Sequence, residues 1–105
     1  MYVWDEHAHY SPDGKKIIWM SNKGYNIAKG LKAEFWLMDA DGSNPKQLTF
    51  FNQPGDLHYI SGKISVAADS SWSPDGRQIM GLINFTTQGK TDWSPDGTIV
   101  VMTLK

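Results

Sequence analysis

The sequence predicts an all-β fold of antiparallel four-stranded meanders, and three observations support this. The tetrapeptide Ser-Pro-Asp-Gly occurs three times in 105 residues, each time after an aromatic residue and before an apolar run. The remaining apolar runs are short and rich in the β-branched and aromatic residues that strands favour. No window carries the 3.6-residue apolar period of an amphipathic helix. A recurring unit of aromatic residue, turn and strand is typical of a repeat architecture.

Each Ser-Pro-Asp-Gly copy is predicted to form a tight turn between two strands. Pro presets φ for the first corner of a type I turn, and Asp can hydrogen-bond its own backbone. Gly takes the left-handed conformation that closes a hairpin with a bulge. Because the aspartate recurs in every copy, we interpret it as a turn residue rather than a catalytic acid. The copies are Ser11-Pro12-Asp13-Gly14, Ser73-Pro74-Asp75-Gly76 and Ser94-Pro95-Asp96-Gly97.

The first half of the sequence predicts one four-stranded meander. Two glycines punctuate the loop after the second strand, and a dense turn cluster containing Asp41 and Gly42 follows the third strand. Asp and Gly are the residue types that a tight hairpin needs, so we interpret Asp41 and Gly42 as turn residues. The predicted strands are His7–Tyr10, Lys15–Ser21, Ala33–Asp39 and Lys46–Phe50.

The second half begins with a connection that is longer than such a meander requires, and then repeats the unit of strand, turn and strand. The spacing predicts strands at Val66–Trp72 and Arg77–Asn84, on either side of the second Ser-Pro-Asp-Gly copy.

Two interpretations remain open for the tail. In one, Thr91-Asp92-Trp93 and Thr98–Leu104 open a third unit. In the other, residues 85–97 form a long hairpin loop, and Thr98–Leu104 is the third strand of the second unit. Spacing favours the second interpretation, because Thr98 follows Ser73 by 25 residues and Ala33 follows Ser11 by 22.

These motifs resemble the TolB-type β-propeller repeat, a unit similar to the WD repeat. The resemblance rests on the aromatic residue before Ser-Pro-Asp-Gly, followed at the right distance by Asp-x-Asp-Gly-Ser-Asn-Pro-x-x-Leu-Thr, and it covers most of residues 7–84. It implies four-stranded blades arranged radially. The segments that carry it are Tyr10–Trp19, Phe35–Thr49 and Ser71–Ile79.

The resemblance implies a single partial β-propeller domain over residues 1–105, with about two to two and a half blades. The first blade covers about residues 7–50, a connecting loop covers 51–65, and an irregular second blade covers about 66–105. Proteins of this type are commonly exported bacterial binding scaffolds, which implies a periplasmic or extracellular location. Similar propellers cap prolyl-oligopeptidase-like peptidases.

Two blades alone would leave two apolar outer faces exposed to water, because repeat units bury their faces against neighbours. We therefore expect a non-catalytic scaffold that binds a protein partner, or a second copy of itself, through its open blade faces. The alternative is the propeller portion of a prolyl-oligopeptidase-like peptidase or other hydrolase whose catalytic domain is absent from this chain. The sequence contains no G-x-S-x-G nucleophile motif.

Composition narrows the partner classes. Ten basic and eleven acidic residues give a net charge of −1, which does not favour nucleic acid. No apolar run reaches the roughly 18 residues of a membrane span. Cysteine is absent, which excludes disulfides and thiolate metal sites. No Gly-rich phosphate-binding motif is present, so no cofactor is expected.

Three histidines form the best metal candidate. On a regular strand, His7 and His9 would face the same side, with Asp5 on that side as well, and His58 would supply a third nitrogen after folding. Hydrogen-bonded or solvated histidines on a blade's innermost strand are the alternative. Asp39 and Asp41 have the spacing of a calcium loop, but the sequence provides no downstream bidentate acid.

Candidate binding residues are aromatic and lie near the start of the chain and in the long connection. Trp4 is the tryptophan that we expect at an interface, because it lies near the end of the chain. Long ordered loops on rigid scaffolds often carry binding. The loop residues expected at a binding face are Phe50, Phe51, His58 and Tyr59.

Overall fold

The structure, a computed structural model, describes residues 4–26, 30–87 and 97–104. Within these ranges the chain forms two antiparallel sheets and no helix, which confirms the all-β prediction. Sheet A has the order β1-β2-β3-β4, and sheet B has the order β5-β6-β7. The strands are β1 (Asp5–Tyr10), β2 (Lys16–Ser21), β3 (Glu34–Asp39), β4 (Lys46–Gln47), β5 (Lys63–Trp72), β6 (Gln78–Thr87) and β7 (Gly97–Thr103).

The tail follows the strand order that spacing favoured, although β6 continues to Thr87, into the predicted hairpin loop of residues 85–97. Strand β7 pairs with β6 over its whole length, from Asn84 opposite Gly97 to Gln78 opposite Thr103, and so is the third strand of sheet B. The third Ser-Pro-Asp-Gly copy falls largely on Ser94, Pro95 and Asp96, which lie outside the described residues. The segment Thr91-Asp92-Trp93 lies outside them as well.

Both described Ser-Pro-Asp-Gly turns form as predicted, with the same five hydrogen bonds. In the first, Ser11 Oγ donates to Asp13 Oδ1 at 2.7 Å, and the N–H of Lys15 donates to the same oxygen at 3.0 Å. In the second, Ser73 Oγ and the N–H of Arg77 donate to Asp75 Oδ1 at 2.6 and 3.0 Å. The glycines have φ of 74° and 72°, a region that favours glycine. The other three bonds of the first turn join Ser11 once to Gly14 and twice to Lys16. Those of the second turn join Ser73 once to Gly76 and twice to Gln78.

The fourth predicted strand is shorter than the sequence indicated. The N–H of Leu48 still donates to the carbonyl of Phe35 at 2.8 Å, but the N–H of Phe35 donates to the Thr49 hydroxyl at 2.9 Å. A side chain thus replaces the backbone acceptor that would have extended the ladder. The prediction of a strand reaching Phe50 was therefore wrong.

Strand β5 begins three residues earlier than predicted because Lys63, Ile64 and Ser65 pair with residues 85–87 of β6, and a side-chain amide bonds its other edge. The N–H of Ser65 donates to Asn52 Oδ1 at 2.7 Å, and Asn52 Nδ2 donates to the carbonyl of Ser65 at 2.7 Å. Ala33 forms a parallel bridge with Val66 beside it. The predicted connecting loop of residues 51–65 therefore ends at residue 62.

The two sheets pack against each other across one apolar core. We call the packed surfaces the inner face of sheet A (Ile18, Met20, Phe35, Leu37) and the inner face of sheet B (Ile79, Gly81, Ile83). All seven are buried. The ring of Phe35 lies on Gly81 so closely that a Cβ added there would be 2.6 Å from two ring carbons.

Strands β1 and β5 also meet at this junction. The indole Nε1 of Trp72 donates to the carbonyl of His9 at 3.2 Å. His9 Nε2 lies 2.7 Å from Asp69 Oδ1. Trp72 therefore packs between the sheets, as expected for the aromatic position of the repeat.

Candidate interaction surfaces

The side of sheet A that faces away from sheet B is aromatic. Directly opposed residues of an antiparallel pair share a face, and the pairs here are Tyr10 with Ile17, Ile17 with Met38, and Trp19 with Trp36. The Trp19 and Trp36 ring centroids lie 6.1 Å apart at a tilt of 34°. We call these five residues the outer face of sheet A. Tyr10 on this face is 65% exposed.

A cleft of about 680 Å³ lies on the outer face of sheet A. Trp19, Met38 and Pro45 supply its apolar wall, and three charged residues and a histidine line its rim. Trp19 Nε1 donates to Asp5 Oδ1 at 3.1 Å, and Lys23 Nζ lies 5.1 Å from the centroid of a Trp36 ring. Within the described part of the chain, Trp36 Nε1 is buried and finds no hydrogen-bond acceptor. The rim residues are Asp5, Glu6, His7 and Lys23.

The side of sheet B that faces away from sheet A exposes aliphatic residues. Met80 lies opposite Val101, and Leu82 lies opposite Ile99, so the four side chains are neighbours on one face. Met80, Ile99 and Val101 are between 53% and 57% exposed. We call these four residues the outer face of sheet B. Contiguous exposed apolar surface of this kind is typical of an interaction site.

The two sheets are related by the repeat, and this relation decides which faces correspond. The two described turns are 62 residues apart, so Ile18 and Met20 of sheet A are equivalent to Met80 and Leu82 of sheet B. The buried inner face of sheet A thus corresponds to the exposed outer face of sheet B. Likewise, Trp19 on the outer face of sheet A corresponds to the buried Gly81. The sheets stack head to tail, and each unmatched face is left open.

The predicted binding residues are spread over two other places. Trp4 is partly buried against the core, and its backbone N–H donates to Asn22 Oδ1 at 2.7 Å. Phe51 also packs against the core, with its ring 5.9 Å from that of His58. Phe50 is 39% exposed and Tyr59 is half-buried. The loop that follows β4 thus carries Phe50 and His58 at its surface.

A fully buried carboxylate holds this loop in place. Glu34 Oε1 accepts hydrogen bonds from the Thr49 hydroxyl and the Phe51 N–H at 2.9 and 3.0 Å. Its Oε2 accepts from the Tyr25 hydroxyl at 2.9 Å and from Asn52 N and Nδ2 at 2.9 and 3.1 Å. Burial and the Glu34 charge raise the pKa of Tyr25. Sequence reasoning missed Glu34, although an acidic residue inside an apolar strand was a usable signal.

The predicted metal ligands lie in two places. A bulge opposite Trp19 interrupts β1, and His7 there has a φ of 56°, so the regular alternation that the prediction assumed does not hold. His7 Nδ1 lies 3.9 Å from Asp69 Oδ1, whereas His58 Nδ1 lies 3.7 Å from Asp56 in the loop. Across residues 4–26, 30–87 and 97–104, no group of three or more His, Asp or Glu could hold a metal ion. The metal site stays a prediction.

Donors of the same turn bond the Asp41 carboxylate, whereas Asp39 is bonded both within the turn and by Lys16 of β2. Ser43 donates to Asp41 through its hydroxyl and its N–H, at 2.5 and 2.9 Å, and these bonds lower the pKa of Asp41. Lys16 pairs with Asp39 and Asn44 Nδ2 donates to it, which lowers the pKa of Asp39. Gly42 has a φ of 89°. The cluster thus has the turn chemistry predicted for Asp41 and Gly42.

Comparison with models of known protein families and with curated proteins gives no match for this chain. None of the described residues form a helix long and apolar enough to span a membrane.

Proposed function

We propose that this chain is a pair of TolB-like propeller blades that serves as a non-catalytic protein-binding scaffold. The observation that carries the proposal is the head-to-tail stacking of sheets A and B, which leaves one aromatic and one aliphatic face open. Successive blades of a propeller stack in this manner around a common axis. The shared turn geometry and the contact between strands β1 and β5 support the same interpretation.

The chemistry of the open faces favours a protein as the bound molecule. The outer face of sheet B is aliphatic, and the outer face of sheet A combines two tryptophans and a tyrosine with a charged rim. Aromatic residues and methionine are enriched at protein interfaces, whereas charges are depleted at their centres. The aromatic anchors of sheet A resemble the residue types that dominate binding energy.

Site-specific photocrosslinking tests the proposal in cells that express the chain. Benzoylphenylalanine is placed at Val101 or Trp19 on the open faces, and at Gln53 on an exposed loop as the control. The proposal predicts that a protein identified by mass spectrometry, including the chain itself, is captured at Val101 or Trp19 and not at Gln53. Adding Ile99→Lys should suppress capture at Val101. Equal capture at all three positions, or none, would contradict the proposal.

A further inference from the structure

The two open faces present the same positions of the repeat that already pack against each other between sheets A and B. That interface joins the inner face of sheet A to the inner face of sheet B. By the repeat equivalence, the outer face of sheet B presents the same strand positions as the inner face of sheet A. The outer face of sheet A presents the same positions as the inner face of sheet B. Each open face is therefore the counterpart of the other.

We propose that a second copy of this chain covers each open face, with the outer face of sheet A of one copy on the outer face of sheet B of the next. The relative orientation is that of the two sheets within the chain. The proposal rests on the proposed scaffold function and names the partner that it binds. Three features of the described residues support it.

The first feature is an apolar contact at equivalent positions. Inside the chain, the large Phe35 packs on Gly81, which has no side chain. Phe35 pairs with Met20, and Ile99 pairs with Leu82, so Ile99 is the equivalent of Phe35. Trp19 is the equivalent of Gly81. The contact between copies therefore joins two apolar side chains, Ile99 in place of Phe35 and Trp19 in place of Gly81, and the larger of the two lies on sheet A.

The second feature is the exposure of Tyr10. Its equivalent in sheet B is Trp72, which is half-buried because its indole donates to the carbonyl of His9 in sheet A. Tyr10 is 65% exposed within the single chain. In the proposed contact, the Tyr10 hydroxyl donates to the carbonyl of Ser71 in the next copy, since Ser71 is the equivalent of His9. The same aromatic position then bonds the same carbonyl at both junctions.

The third feature is the size and closure of the contact. Sheet B presents three strands, and the seven residues of β7 are all paired with β6, so the face that all three strands share is roughly 14 Å by 23 Å. A standard stable interface buries about 800 Å² per partner, so one such contact alone gives a weak association. Because the contact is heterologous, it closes into a ring when the rotation permits, and ring closure strengthens the assembly.

Cross-linking of single-cysteine variants tests the head-to-tail geometry, because the chain has no cysteine of its own. Tyr10→Cys and Ser71→Cys are treated with a short bismaleimide, alone and as a mixture, with Gln53→Cys mixed with Ser71→Cys as the control. The proposal predicts cross-linked dimers in the Tyr10→Cys and Ser71→Cys mixture only. Dimers formed equally well by one variant alone would indicate a two-fold contact and overturn the proposal, as would a mixture that does not cross-link.

Because Tyr10→Cys removes the hydroxyl that the proposed contact uses, a second experiment compares the self-association of two variants that keep Tyr10. Ile99→Lys places a charge on the outer face of sheet B, and Leu57→Lys places one on an exposed loop residue that is outside both faces. The dissociation constant for self-association should rise at least about tenfold for Ile99→Lys and stay within about twofold for Leu57→Lys, both relative to the unmodified chain. Equal effects would overturn the proposal. A chain that stays monomeric but is photocrosslinked to another protein at Val101 would overturn self-association and leave the scaffold function standing.

Discussion

Replacing Glu34 with Gln tests how far one buried carboxylate organises the junction between the sheets. The change keeps the shape of the side chain and replaces one oxygen, which accepts hydrogen bonds, with an NH₂ group, which donates. In the wild type, the Glu34 carboxylate accepts the five hydrogen bonds described above. When the amide oxygen takes the position of Oε2, the NH₂ group faces the N–H of Phe51.

The expected loss follows from these contacts. The Phe51 N–H loses its acceptor, which costs about 1–3 kcal/mol for a buried donor. The Thr49 hydroxyl can rotate to accept instead, and the three bonds to Oε2 become neutral, with roughly half their former strength. A neutral amide is cheaper to bury, which offsets part of the loss. We expect the free energy of unfolding to fall by about 3 kcal/mol.

Urea unfolding followed by tryptophan fluorescence measures this difference. Glu6→Gln is the matched control, because Glu6 is exposed and its nearest partner is His7 at 3.5 Å. The control should change the free energy of unfolding by less than about 0.5 kcal/mol. A Glu34→Gln variant as stable as the control would refute the role assigned to the buried carboxylate.

Two further predictions concern the interface inside the chain and the repeated turns. Gly81→Ala should lower the free energy of unfolding, measured by chemical denaturation, by about 1–3 kcal/mol, because the added Cβ meets the ring of Phe35. Adding Phe35→Leu should restore part of this loss. If the losses of the two variants simply add, the contact between these residues is contradicted. The Ser73 hydroxyl and then the Arg77 N–H lower the pKa of Asp75, so this stabilisation is present above the ordinary aspartate pKa of 3.8 and is lost as pH falls through the lowered value. The difference in unfolding free energy between wild type and Asp75→Asn should therefore shrink between about pH 5 and pH 2, and a constant difference would rule this out.

The sequence predicted the turns well because their interactions are local. All five hydrogen bonds of the first turn lie between Ser11 and Lys16, so the types of neighbouring residues determine them. The same holds for the bonds from Ser43 to Asp41, whereas Asp39 also pairs with Lys16 of β2.

The predictions that failed depended on contacts between distant residues. The early end of β4 results from the Thr49 hydroxyl bonding the N–H of Phe35, and the early start of β5 results from its pairing with residues 85–87 of β6. The bulge at His7 changes the direction of its side chain without a signal in the sequence. The contact of Phe35 with Gly81 could be found only from the packing of the two sheets, because neither residue is unusual on its own.

The relation between the faces also needed the register. The sequence indicated that two blades would leave apolar faces open, and the exposed Met80, Ile99 and Val101 agree with that expectation. It did not indicate that the bulk of Phe35 is replaced by that of Trp19 on the opposite side of sheet A. In the proposed contact between copies, Trp19 faces Ile99, the equivalent of Phe35.

Sedimentation of the unmodified chain over a range of concentrations tests most directly whether its open faces are covered by further copies. A single chain has a mass of 11.8 kDa. If further copies cover the open faces, the mean mass rises with concentration toward a whole-number multiple of this value. A mass that stays at that of one chain throughout the micromolar to millimolar range would contradict self-association.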